Sequence, residues 1–221
     1  MRSRRAELIA QLAEWLAAQS RPHTLRVGID GRTAAGKTTF ADELGDALSV
    51  FRPVIRAGLD SFHNPRAIRH ARGRMSPEGY YRDARDHDAI RHCLLDPLGR
   101  EGGRYALTHF DLETDTPLDP QMTRAPDNAV LVCDGSLLQR RELRDGFDVV
   151  VFLEVSPEIS LARGVARDGG AMAEVYRRRY QPGYALYAAD ASPRERADVV
   201  IDVNDLAHPV WTRPFQTRPP A

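Results

Sequence analysis

Lysine is almost missing from this chain. Lysine and arginine together number 31 of 221 residues, and Lys37 is the single lysine among them. Cysteine is nearly as scarce: Cys93 and Cys133 stand at no metal-binding or Cys-x-x-Cys spacing, which argues against a disulfide framework and fits a reducing compartment. Net charge is absent, with 31 acidic residues against 31 basic ones, so no global field draws the chain to nucleic acid or to an anionic membrane. No uninterrupted apolar run approaches the roughly 20 residues that a membrane span needs. The basic start Met1 to Arg5 resembles a signal peptide, but Glu7, Gln11 and Glu14 interrupt the apolar stretch that such a peptide requires next. Internal repeats and low-complexity tracts are also lacking. What remains is the profile of one cytoplasmic domain with a well-buried core.

The lone lysine lies in Gly31-Arg32-Thr33-Ala34-Ala35-Gly36-Lys37-Thr38, which spells the P-loop pattern G-x-x-x-x-G-K-[ST]. Each fixed position answers a chemical need. Glycines let backbone N–H groups curl round phosphate oxygens, a compact ammonium reaches the β- and γ-phosphates, and a hydroxyl binds Mg²⁺. Arginine's planar fork is a poor substitute for that point charge. Residues Leu25 to Asp30 read as a strand entering the loop, and Thr38 to Leu48 as a helix leaving it, with Phe40, Leu44, Ala47 and Leu48 on one face. Such a helix turns its positive end toward the phosphates. The expected ligand is a nucleoside triphosphate with Mg²⁺, cradled by Gly31, Arg32, Thr33, Ala34, Ala35, Gly36, Lys37, Thr38 and Thr39.

Five runs read as strands: 25–30, 54–59, 129–133, 148–153 and 198–201. Their apolar residues are consecutive, as in strands covered on both faces. Helical patterns at 86–95 and 157–167 separate them, the latter with Ser156 as N-cap and Pro157 in its first turn. The expectation is a three-layer α/β P-loop NTPase fold: a five-stranded parallel sheet with helices on both faces. Around it the pattern places an amphipathic helix over 1–20, docked on the domain or on a second copy through Leu8, Leu12, Trp15 and Leu16. A P-loop domain covers 21–208, with a substrate-covering insertion near 63–92 and a lid near 163–180. Residues 209–221 read as a proline-rich tail.

Ligands of such sheets gather beyond the carboxyl ends of the strands. Asp60 closes the second strand and is a candidate general base toward an acceptor hydroxyl; a turn-forming Asp is the alternative. Asp134 closes the third, and is expected to hold Mg²⁺ beside Thr38, unless it caps a helix starting at Ser136. Arg163 and Arg167, four apart before Asp168-Gly169-Gly170, could fold over the triphosphate and neutralise developing charge, with solvated helix charges as the alternative. Phe62, His63, Tyr80, Tyr81, Asp83, Tyr105 and His109 are candidates for the acceptor side, with core packing as the alternative for the aromatics.

Taken together, the P-loop, Asp60-Ser61-Phe62, the strand ending in Asp134-Gly135, the stretch Arg163 to Arg167 and Ala197-Asp198-Val199-Val200-Ile201 resemble the uridine kinase and phosphoribulokinase superfamily. The resemblance implies ATP-dependent phosphorylation of a primary hydroxyl on a small molecule, most readily a nucleoside, with Asp60 as base and Asp134 attending the metal. Where uridine kinases carry an Asp-His-Pro run, this chain has Ser76 to Asp83. Asn64-Pro65 and Arg72-Gly73-Arg74-Met75 instead resemble a loop of bacterial pantothenate kinases. A pantothenate-type or other small-alcohol acceptor therefore stands as an alternative. A nucleotide-switch ATPase stands as another, although its GTPase form lacks the lysine of Asn-Lys-x-Asp. A homo-oligomer is compatible with all of these.

Overall fold

The computed structural model describes residues 3–215, and within them the chain builds one six-stranded sheet flanked by helices. Its strands are β1 Leu25–Gly31, β2 Val54–Gly58, β3 Val130–Asp134, β4 Val149–Glu154, β5 Val199–Asp202 and β6 Val210–Arg213, in the order β6-β5-β4-β1-β3-β2. The first five run parallel, and β6 adds antiparallel to β5. The five expected strands are all present, and the sixth lies inside the stretch read as a tail. Pro209 and Pro214 bracket it, a boundary that suits an edge strand, and Trp211 turns inward to meet Phe215, which stacks on Trp15 at 4.8 Å. Residues 216–221 of that expected tail, and Met1 and Arg2 of the expected first helix, lie outside the described residues.

The strands alternate between two cores because their side chains alternate between two faces. Val130, Val132, Val149, Val151 and Leu153 meet one core, which also holds Leu25, Val27 and Ile29 of β1. Leu131, Cys133, Val150 and Phe152 meet the other. On the first face lie helices α1 (Arg4–Ala17) and α2 (Lys37–Ser49). The α1 stripe Leu8, Ile9, Leu12, Ala13 and Leu16 is buried there, so this helix docks on its own domain. The second face is covered by residues 87–98 and by the helix Gln181–Ala191. Among the described residues no helix is long and apolar enough to cross a membrane.

Two features set up the site. β1 is the central strand, so its carboxyl end opens directly over the middle of the sheet, between β3 and β4. Residues 59–128, between β2 and β3, bring the turn 59–63, Tyr80, Arg85 and Leu112 to that end, and include two small antiparallel pairs, Arg104–Tyr105 with Thr123–Arg124 and Phe110–Asp111 with Thr116–Pro117.

Candidate active site

The loop between β1 and α2 is shaped by its glycines. Gly31 has φ 149°, and a Cβ there would come within 2.6 Å of the Leu153 carbonyl oxygen; Gly36 is left-handed at φ 84° and opens α2. The loop's base is tied down by Asp30, whose buried carboxylate accepts from the Gly31 amide at 2.8 Å, Tyr187 Oη at 2.5 Å and Gln139 Nε2 at 3.2 Å. Burial nonetheless pushes the Asp30 carboxyl up from its ordinary value, against those three hydrogen bonds. From this base rises Lys37, whose Nζ donates to the Arg32 carbonyl at 2.7 Å. Burial pulls the ammonium down to about 8, with Asp30, Asp134 and Asp60 opposing. An ammonium so poorly hydrated is primed to gain from an anion.

Lys37 faces a cleft of about 970 Å³ beyond the strand ends, lined among others by Thr33, Thr38, Thr39, Asp60, His63 and Asp134. The Thr38 hydroxyl donates to Asp134 Oδ2 at 2.8 Å, while Arg56 Nη2 holds Oδ1 at 2.7 Å. Segment 136–143, after β3, forms no helix, so Asp134 has none to cap. Across the cleft Asp60 stands in a short 3₁₀ turn after β2. Its side chain is 80 % exposed to the cleft, and its Oδ1 accepts from Arg85 Nη2 at 2.6 Å. That guanidinium, more than anything else, holds the Asp60 carboxyl below its usual range. His63 is pulled down to about 4, first by burial and then by Arg85, so near neutral pH it is an uncharged imidazole whose Nδ1 lies 2.8 Å from the Asp60 carbonyl oxygen.

Over the cleft lies helix α3 (Pro157–Asp168), started by the Ser156 hydroxyl accepting from the Ile159 amide at 3.2 Å. Its Ser160 donates to the Thr33 carbonyl at 2.8 Å and so joins the helix to the P-loop. Arg163 and Arg167 both line the cleft. Arg163, however, spends its donors on the Val203 and Asn204 carbonyls at 2.9 and 2.7 Å, fixing the helix to the loop after β5. Arg167 is held by Asp168 at 2.7 Å and stays 62 % exposed. The Tyr176 ring packs where a Cβ on Gly164 would sit, 2.1 Å from its Cζ, so that glycine sets the approach of the segment after α3.

The remaining candidates divide. Tyr80 lines the cleft with its Oη 3.2 Å from Thr33 Oγ1, and Tyr180 tilts against it at 4.9 Å. Phe62 and Tyr105 are core residues. Tyr81 points away, its hydroxyl donating to Asp190 and its ring under the Arg140 guanidinium at 4.5 Å. Asp83 is occupied by Arg72 at 2.8 Å, and His109 lies 3.7 Å from Asp86; neither lines the cleft. Within the P-loop, Arg32 turns outward over the Tyr184 ring at 4.0 Å, while Ala35 is buried beneath the loop. Sequence reasoning passed over Arg56 and Arg85. A charge inside the otherwise apolar β2 was a signal for the first; the second was one arginine among many.

No protein-family model matches the chain. It is 26% identical over 187 residues to uridine-cytidine kinase B of Dictyostelium discoideum, covering 81% of this chain and 74% of that protein. Dephospho-CoA kinase of Cutibacterium acnes is 28% identical over 221 residues, covering 91% and 88%. The match spans only 57% of uridine-cytidine kinase 2-B of Danio rerio. The structure of a possible uridine kinase from Bacillus stearothermophilus superposes with a TM-score of 0.70 at 28% identity, over 88% of this chain and 97% of that one. With a lysine-bearing P-loop at the end of the central strand and two carboxylates facing it, the chain has a P-loop kinase fold and resembles, in sequence and in structure, the superfamily that includes the uridine kinases.

Proposed function

We propose that the protein transfers the γ-phosphoryl group of Mg²⁺-ATP to a primary hydroxyl of a small molecule, a nucleoside being the leading acceptor. The observation that carries this reading is the shared cleft: Lys37, Thr38, Asp134 and Asp60 all line it, although they come from three different strand ends. Loop amides and Lys37 would receive the triphosphate, at a helix N-terminus already suited to negative charge. As the acceptor oxygen attacks phosphorus, its O–H bond breaks and the proton passes to Asp60, while the bond from the γ-phosphorus to the β–γ bridging oxygen breaks and ADP leaves. Arg167, exposed at the cleft and bonded to Asp168 and the Tyr176 hydroxyl, would reach the transferring group by exchanging those partners for phosphate oxygens.

The residues fit a magnesium ion. Thr38 Oγ1 and Asp134 Oδ2 lie side by side, 2.8 Å apart at the cleft, a hydroxyl and a carboxylate oxygen of the kind a hard divalent cation takes as ligands. Among the described residues no cluster of three or more His, Cys, Asp or Glu forms a complete protein cage, as expected of a hard cation that keeps waters and phosphate oxygens as ligands. Thr38 and Asp134 would hold it, and when bound it would neutralise charge on the phosphates.

For the acceptor, Tyr80 and Tyr180 supply aromatic surface on the cleft wall, and neutral His63 supplies a hydrogen-bonding edge next to Asp60. Both suit a planar base better than a purely aliphatic alcohol. ATP consumption measured with uridine, cytidine, pantothenate, D-glycerate and dephospho-CoA tests the reading. Acceptor-dependent turnover, greatest with a nucleoside, is expected. Turnover indifferent to every acceptor would refute it.

A further inference from the structure

We infer that Arg85 is the positioning residue for the Asp60 carboxylate: it occupies Oδ1 and thereby presents Oδ2 to the acceptor hydroxyl. The inference rests on the phosphotransfer reading of the cleft and deepens it. Arg85 is buried, with 9 % of its side chain exposed, yet it lines the cleft. Its Nε donates to the Leu59 carbonyl at 3.2 Å and its Nη2 to Asp60 Oδ1 at 2.6 Å. Nη1 is buried without a partner. Asp60 is the one carboxylate within ion-pair distance of this guanidinium among the described residues. A buried cation with a single anion beside it holds that anion firmly, since releasing it leaves the charge uncompensated.

The backbone makes the pairing rigid. Residues 62–64 and 84–86 are laced together by Asn64 N to the Ala84 carbonyl at 3.1 Å, Asp86 N to the Phe62 carbonyl at 2.9 Å, and an isolated bridge between His63 and Arg85. The Asn64 side-chain amide adds bonds to the Asp83 and Arg85 carbonyls at 3.0 and 2.9 Å. Arg85 is thus fastened to the same turn that carries Asp60, and the two move as one body. Among the described residues Oδ2 makes no hydrogen bond, and it belongs to a side chain that faces the cleft. One oxygen is held and the other is offered, which is the arrangement a proton acceptor needs to keep one orientation.

The groups facing Asp60 are Arg85, His63, Lys37 and the Tyr180 hydroxyl. Because His63 titrates near 4 itself, the measurement is made in a His63→Gln background as well. The ¹³C carboxyl signal of Asp60, identified by its loss in Asp60→Asn, is followed against pH in the ligand-free protein. It is expected to titrate below the ordinary carboxylate range, and its midpoint to rise in Arg85→Gln and to a smaller extent in Arg85→Lys.

With whichever acceptor turns over fastest, kcat is expected to fall about a hundredfold in Arg85→Gln, the scale of a misplaced reacting group. Arg85→Lys should recover part of that loss, and KM for Mg²⁺-ATP should stay within about twofold in both. A purely structural arginine would instead raise both KM values and leave the Asp60 midpoint where it was. Should Arg85→Gln fail to fold, the parent chain and Arg85→Lys still decide. An Asp60 that titrates normally in the parent chain, or unchanged in Arg85→Lys, overturns the inference even if phosphotransfer is confirmed. A parent chain that consumes no ATP with any acceptor overturns the phosphotransfer reading instead, and with it the positioning role of Arg85.

Discussion

Replacing Lys37 with methionine should make the nucleotide-free protein more stable while removing its activity. The ammonium is buried, and its fall from 10.5 to about 8 measures what the folded state loses by keeping it charged. At about 1.4 kcal/mol per pH unit this is about 3 kcal/mol. Methionine keeps the stem as far as its Cε and drops the ammonium, and so forfeits the 2.7 Å hydrogen bond to the Arg32 carbonyl, worth about 1 kcal/mol. The net gain is therefore about 2 kcal/mol at pH 7, or a rise of about 4–8 °C in Tm for a chain of this size. The depressed value also sets the sign of the pH dependence. Below pH 8 both folded and unfolded lysine are protonated and the gap is constant. From about 8 to 10.5 the unfolded chain retains a proton that the folded one has shed, so the parent protein gains stability with pH and the methionine variant does not. Urea unfolding of both proteins at pH 7, 8, 9 and 10 reads the gap directly. A variant no more stable than its parent at pH 7, or a gap that holds steady up to pH 10, would refute the reasoning.

Three further outcomes are expected. Asp60→Asn should lower phosphoryl transfer about 10²- to 10⁴-fold and leave Mg²⁺-ATP affinity near its original value, as read by calorimetry beside turnover; equal losses in both would show that the carboxylate serves nucleotide binding instead. Tyr187→Phe removes a hydroxyl that accepts from the Gln139 amide at 2.9 Å and donates to the buried Asp30 at 2.5 Å, and should cost about 1–3 kcal/mol in chemical denaturation. Gly164→Ala places a methyl group into the Tyr176 ring, and should destabilise the protein by about 1–3 kcal/mol through forced repacking, with easier proteolysis near residues 168–180.

The sheet was readable because its strands are largely apolar on both faces and the first three lead into chemically distinctive residues. Asp30-Gly31, Asp60 and Asp134-Gly135 announce the cleft edge in the sequence itself, since parallel strands deliver their carboxyl ends to one side. The sixth strand was hidden by prolines: Pro209 and Pro214 resemble a tail's composition, although an edge strand tolerates them at its ends. Side-chain direction was the harder matter. Tyr80 and Tyr81 are adjacent and chemically equal in the sequence, yet one lines the cleft and the other bonds Asp190, because successive residues of a helical turn point in different directions. Asp83, a natural hydroxyl binder, is instead occupied by Arg72. Arg85 was concealed among alternating arginines and acids of the insertion, where no periodicity separates a solvated charge from a buried one.

The central claim is that Lys37 grips the triphosphate of ATP, and amine labelling tests it most directly because the chain has a single lysine. The protein is treated with an amine-reactive reagent at pH 8, with and without Mg²⁺-ATP, and modification of the peptide containing Lys37 is followed by mass spectrometry apart from that of the N-terminal amine. Mg²⁺-ATP is predicted to slow labelling of Lys37 strongly and to leave the N-terminus unaffected. Equal rates at Lys37 with and without the nucleotide would contradict the account.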